Sequence, residues 1–173
     1  MQSERGFVFI SILIFLQIFS LLSMYELLAA ANMMKRIGEQ EQHEKYVLTA
    51  DQCLKELEAG MPHSIPACII QTIPSAELAR KPLTWWQQHT CHANSHQIQY
   101  YYAIEALGRD DCGMVDDSSV ANYYRNTIYL LANKLKHAHI VLQSTIVLAD
   151  HANSSCQRIA HHVKLGRQMS REI

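Results

Sequence analysis

The sequence predicts an α+β chain, with one long N-terminal helix packed on an antiparallel sheet of about three or more strands. Two observations predict the helix. Apart from Gly38 no helix breaker appears between Phe7 and Gly60, and residues 29–31, 33–34 and 39–58 are rich in good helix formers. Within that run Val47, Ala50, Leu54 and Leu57 recur at spacings of 3, 4 and 3, which lines up one apolar stripe. A third observation predicts the sheet: three later segments alternate apolar and polar residues with period two, the pattern of half-buried strands.

The helix begins in an apolar run, residues 7–25, that is 19 residues long and carries no charge. At 1.5 Å per residue this run reaches about 29 Å, close to the hydrocarbon thickness of a bilayer. Continued to about Glu58, the same helix is on the order of 78 Å long. Its first part, 7–31, suits lipid, and 32–58 is an amphipathic continuation, with Glu41 and Lys45 placed for an i,i+4 ion pair. Gly60 and Pro62 stop the helix, and Pro66, Pro74 and Pro82 punctuate the next stretch. Residues 60–96 read as an irregular connection with a short helical turn at 75–80. Trp85 and Trp86 within it are expected to cover the edge of the core rather than to form a ligand platform.

Strands are expected at 97–107, 122–131 and 139–148. In the first, Ile98, Tyr100, Tyr102 and Ile104 share one face, and Gln97, Gln99, Tyr101 and Glu105 share the other. Turn-prone segments at 108–119 and 133–138 separate the strands and favour an antiparallel meander. One face of this sheet needs a cover, which the helix stripe supplies.

A chain of 173 residues accommodates one domain and a membrane segment. Its net charge of −1 gives no electrostatic footprint for nucleic acid. The basic tail, with Arg158, Lys164, Arg167 and Arg171, reads as a solvated terminus. All five cysteines, Cys53, Cys68, Cys91, Cys112 and Cys156, follow the apolar run, as suits an oxidising periplasm. Two bridges among five sites allow about 15 arrangements. Short loops favour Cys53–Cys68 and Cys91–Cys112 and leave one thiol over. Arg5 on one flank against Lys35 and Arg36 on the other mildly opposes an N-inside insertion, whereas the cysteines place the C-terminal part outside.

Two clusters have metal-ligand chemistry. His89, Cys91, His92 and His96 lie within eight residues, but they read as loop histidines beside a cysteine wanted for a disulfide. Asp110, Asp111, Asp116 and Asp117 crowd one segment without the EF-hand order, so a hydrated acidic loop is expected there. With no G-x-S-x-G elbow, no H-E-x-x-H and no phosphate-cradling glycine loop, the chain is not expected to be an enzyme or to carry a cofactor or metal.

The N-terminus admits two readings. One is a secretory signal cut after Ala31, yet it has a single base, Arg5, offset by Glu4, and a long apolar core. The other is the short polar leader of residues 1–6, which ends in Gly6 directly before Phe7 and the apolar run; this resembles a type IV prepilin. The resemblance implies cleavage between Gly6 and Phe7 by a prepilin peptidase, N-methylation of Phe7, and retention of the apolar segment as membrane anchor and filament core. Major pilins carry a glutamate at the fifth mature position, and here that position is Ser11.

Tyr123, Tyr124, Arg125 and Thr127, then Val141, Leu142, Gln143 and Ser144, are similar to the closing strands of the PilX group of minor pilins, which also commonly lack that glutamate. The resemblance covers the first 35 residues and 97–148. It implies a pilin-like globular domain over 59–150, with 151–173 as a C-terminal extension. The implied role is to help prime pilus assembly in a tip complex. Partners would be other minor pilins, the major pilin, a tip adhesin and the inner-membrane assembly platform. The implied location is the bacterial inner membrane, with the N-terminus cytoplasmic and the globular part periplasmic, and then the pilus tip. Two alternatives stand beside it: a type II secretion pseudopilin, and a secreted disulfide-bonded periplasmic binding protein.

Overall fold

The computed structural model describes residues 4–62, 68–95, 98–116, 118–131, 139–151, 156–157 and 159–173, with side chains from residue 9 onward. The first helix, α1 (Glu4–Gly60), is followed by β1 (Ile69–Ile70), α2 (Ser75–Leu78), α3 (Leu83–His89) and β2 (Cys91–Ser95). Then come β3 (Ile98–Asp116), β4 (Ser119–Leu131), β5 (His139–Asp150), β6 (His161–His162) and β7 (Gly166–Glu172). The chain divides into two units, Met1–Lys45 and Tyr46–Ile173. The expected residues Pro66, His96, Gln97, Asp117 and Arg158 and the segment 133–138 lie outside the described residues.

In the second unit the predicted stripe meets the sheet. Ala50, Cys53 and Leu54 are fully buried against Tyr100, Ile128, Leu130, Ile140 and Leu142, with Tyr46 and Val47 packed beside them. Further along, Met61 packs on Ile104, Tyr124 and Ile146. Residues that alternate along β3, β4 and β5 thus share one face, as strand geometry requires.

The sheet is mixed rather than wholly antiparallel. Its path runs β1-β3-β4-β5-β7, and β2 and β6 also pair with β3. The long pairs β3–β4, β4–β5 and β5–β7 are antiparallel, whereas β1 and β6 each join β3 in parallel. The parallel additions are two-residue pieces, laid on the edge of β3 by the chain as it returns.

The expected turn at 108–119 is corrected, because β3 continues through Asp116 and pairs with β4 down to Asp116↔Ser119. The two glycines, Gly108 and Gly113, and the aspartates Asp110, Asp111 and Asp116 are absorbed by register shifts at 106/108, 110/114 and 114/116. Gly108 sits at φ +116°, a left-handed conformation that glycine adopts without strain.

The second face of the sheet is covered too. Pro74 and Pro82 open α2 and α3, which deliver Leu78 and Trp86, both fully buried, onto Tyr101, Ala103, Tyr129 and Val141. The connection expected to be irregular is therefore the third layer of the domain. The tail is corrected as well: β7 pairs with Leu142–Val147 of β5 and extends the sheet.

The bridges are Cys68–Cys91 and Cys112–Cys156, and Cys53 is a buried free thiol. The pairs favoured by loop length, Cys53–Cys68 and Cys91–Cys112, are overturned. Closing a longer loop costs little extra, and position on the elements decides instead. Cys53 follows Ala50 by three residues and turns into the apolar core. Cys91 lies opposite Tyr102, while Cys112 is ten residues further along β3, roughly 33 Å away.

Candidate functional site

The first unit is a helix whose apolar side chains face outward on all sides. From Phe9 to Leu28 the large apolar residues are between 45% (Leu13) and 72% (Tyr25, Leu27) exposed. A soluble helix keeps one face polar; one that is apolar all round needs lipid or a protein partner. Among the described residues this is the one helix long and apolar enough to cross a membrane. It continues without a break through Ala31, the cleavage point of the alternative secretory reading, to Gly60. Gly6 and Phe7 lie in its first turns, with side chains outside the described set, and Ser11 is exposed one turn further on. Beyond the apolar run the surface becomes charged, with Lys35–Glu39 at 3.9 Å and Lys45–Glu41 at 2.7 Å, both pairs exposed. The hydrogen bond and charge of Lys45 hold the Glu41 carboxyl below its usual range.

In the second unit four of the strand residues singled out in the sequence, Arg125, Thr127, Gln143 and Ser144, make polar contacts on the two faces of the sheet. Arg125 donates from Nε and Nη2 to the two oxygens of Glu105, each at 2.7 Å, and from Nη2 to the Ile73 carbonyl at 2.7 Å. The Ile73 N–H returns a 2.7 Å bond to Glu105. Gln143 donates to Thr127 at 3.0 Å and accepts from Ser75 at 2.8 Å and from Arg171 at 3.1 Å. On the opposite face Ser144 donates to Glu58 of α1 at 2.5 Å. Arg167 of β7 donates to Glu58 at 2.9 Å and also pairs with Asp51 of α1. Arg125, Thr127 and Gln143 therefore fasten the α2–α3 layer, and Ser144 fastens the end of α1. Their chemistry is adhesion between layers.

Between the end of α1 and β5 lies an open cleft of about 1170 Å³, lined by Met61, Tyr124, Ile146 and Leu148 and by Lys55 and Arg167. The metal-ligand clusters do not converge. His89 stacks on Trp85, with ring centroids 5.1 Å apart, and its Nδ1 is 3.0 Å from the Trp85 carbonyl oxygen. His92 is exposed on β2, and Cys91 is consumed by its bridge. Asp110 accepts from the Cys112 N–H at 3.0 Å and lies 3.4 Å from His161, and Asp111 pairs with Arg109 at 2.6 Å. The hydroxyl of Ser119, then the N–H and hydroxyl of Ser118, hold the Asp116 carboxyl down at about 2. Among the described residues no three His, Cys, Asp or Glu side chains gather as a metal site.

Trp86 is buried on Tyr129, with centroids 5.1 Å apart, and the half-buried Trp85 has Lys81 over its ring at 5.6 Å in addition to His89. The pair thus closes the core edge. Sequence reasoning missed Glu105, which alternation assigns to the outer face, and Arg167, which composition assigns to a solvated tail. A buried carboxylate needs a cation, and Arg125 opposite Glu105 in the β3–β4 register was the available signal. Compared with family models, curated proteins and solved structures, the chain matches none.

Proposed function

We propose that this chain is a minor pilin: a structural and assembly subunit of a type IV pilus that helps prime assembly in a tip complex. The observation that carries the reading is the outward-facing apolar helix, whose uncharged run follows Gly6 and which continues unbroken into the stripe that packs in the second unit. Such a helix is at home in lipid or among like helices, and a subunit that passes from membrane to fibre needs both. In this account the helix waits in the inner membrane after the prepilin peptidase has removed 1–6. It then exchanges lipid for neighbouring minor and major pilin helices at the assembly platform. Gln17 and Ser20 can hydrogen-bond across those helices, each contributing roughly 0.6 to 2 kcal/mol. The two disulfides suit the periplasmic side on which the second unit would lie.

The test is Gly6→Ala. Leader removal is expected to stop, leaving a membrane-bound chain that still begins at residue 1. A normal mature mass in that variant argues against the reading.

A further inference from the structure

Thr127 of β4 and Gln143 of β5 stand opposite each other in register, 0% and 3% exposed. The Gln143 amide nitrogen lies 3.0 Å from the Thr127 hydroxyl oxygen. The amide oxygen accepts from the Ser75 hydroxyl at 2.8 Å and from Arg171 Nη2 at 3.1 Å. Arg171 Nη2 also donates to that hydroxyl at 2.9 Å. Residues from α2, β4, β5 and β7 thus converge on one buried amide.

The arrangement has the parts of an acyl-transfer site. Adding the amide C–N bond to the hydrogen bond puts the hydroxyl oxygen about 4 Å from Gln143 Cδ. That is a short advance from the roughly 3 to 3.5 Å at which such groups react. Two donors, one of them cationic, already hold the amide oxygen at the distances of about 2.7 to 3.1 Å that stabilise an oxyanion. Glu105 is a buried carboxylate diagonal to Thr127 in the β3–β4 register, placed to take up the hydroxyl proton. Burial of both side chains keeps out the water that would hydrolyse an ester formed there.

We propose that Thr127 and Gln143 form an intramolecular ester that cross-links β4 to β5. Thr127 Oγ1 bonds to Gln143 Cδ, and the Cδ–Nε2 bond breaks with its electron pair going to nitrogen. The hydroxyl proton, carried by Glu105, reaches that nitrogen, which leaves as ammonia. Nothing is oxidised or reduced, and no co-reactant is needed. The 3.0 Å contact is the state before the bond forms. Once formed, the bond ties two adjacent long strands of the sheet covalently. It lies wholly within the second unit and does not depend on the pilin reading.

The test is the mass of the full-length chain purified from membranes, followed by a tryptic map. The chain is expected to be lighter by one ammonia than its sequence and two disulfides require. Lys134 and Lys136 separate Thr127 from Gln143 along the sequence. After reduction, trypsin should therefore leave the two peptides joined, and hydroxylamine should part them with Gln143 converted to its hydroxamate. Thr127→Val, which keeps the shape and removes the nucleophile, is expected to restore the missing ammonia and abolish the joined peptide. A native chain with no ammonia lost overturns the proposal, as does an ammonia lost at another residue with the two peptides separate. Neither result needs a variant to fold. The residue at which the mature chain begins is read separately from the same map, so the ester and the pilin reading fail independently.

Discussion

Arg125 holds Glu105 by two parallel hydrogen bonds of 2.7 Å, and the Glu105 side chain is completely buried. The pair spans neighbouring strands at one register position and also grips both backbone groups of Ile73. It is thus the fastening between the sheet and the layer that carries Leu78 and Trp86.

Removing one partner of such a pair strands the other. Arg125→Met is expected to destabilise the folded domain by about 3 to 5 kcal/mol, because a buried carboxylate is left without its cation. Adding Glu105→Leu should recover much of that loss, since an apolar pair needs no desolvation of charge. Urea unfolding of the detergent-solubilised chain, followed by tryptophan fluorescence, measures both; an Arg125→Met variant with wild-type stability contradicts the role given to this pair.

The C-terminal strand is fastened differently. Arg167 reaches from β7 to Glu58 and Asp51 on α1, and β7 offers little apolar surface. Arg167→Ala should therefore release β7 while the rest of the sheet stays intact. Hydrogen exchange of the amides of β7 is expected to quicken at least tenfold, with those of β4 unchanged. Equal protection of β7 in the variant contradicts this.

The cysteines make a stoichiometric prediction. The native chain should resist a thiol reagent, and the unfolded, unreduced chain should yield one thiol, Cys53. Burial, its largest cause, raises the pKa of that thiol and keeps it in the less reactive form. Replacing both Cys112 and Cys156 by serine opens a bridge with a sequence separation of 44. By loop entropy alone that should cost about 4 kcal/mol. A fast-reacting native thiol, or three thiols on unfolding, is the contrary result.

Tyr100 gives the pH dependence. Burial, then the neighbouring Cys53, Glu56 and Tyr102, push its phenol up to about 12 from an ordinary value of 10.0. The folded state favours the neutral phenol, so stability linked to it is intact below pH 10 and falls as pH rises from there through 12. Burial also raises Tyr124 and Tyr129, so ultraviolet titration of the native chain should show a late-ionising group of tyrosines, and Tyr100→Phe should lower its amplitude by one phenol. A late amplitude unchanged in the variant contradicts the shift given to Tyr100.

Much of this fold was legible because hydrophobic periodicity reports directly on burial. Val47, Ala50 and Leu54 announce the packed stripe of α1, and β4 and β5 begin or end within a few residues of the expected limits. The hidden parts are held by polar groups. Gly108, Asp110 and Arg109 have turn composition, yet pairing with Tyr123, Ala121 and Asn122 and the neighbouring bulges carry the strand through them. The sequence of β7, GRQMSRE, lacks apolar alternation because Arg167, and not a hydrophobic face, docks it. Glu105 looked solvent-facing because alternation cannot reveal that a second layer arrives. The disulfide pattern depended on where the fold carries each cysteine, with Cys53 turned into the core from α1 and Cys91 and Cys112 far apart along the β2–β3 pair, and spacing along the chain does not report that.

The central claim is that the apolar helix is kept. Intact mass measurement of the chain purified from membranes tests it most directly. The account predicts a chain that begins at a methylated Phe7 and carries two disulfides. A mature chain that begins at Asn32 or later contradicts it.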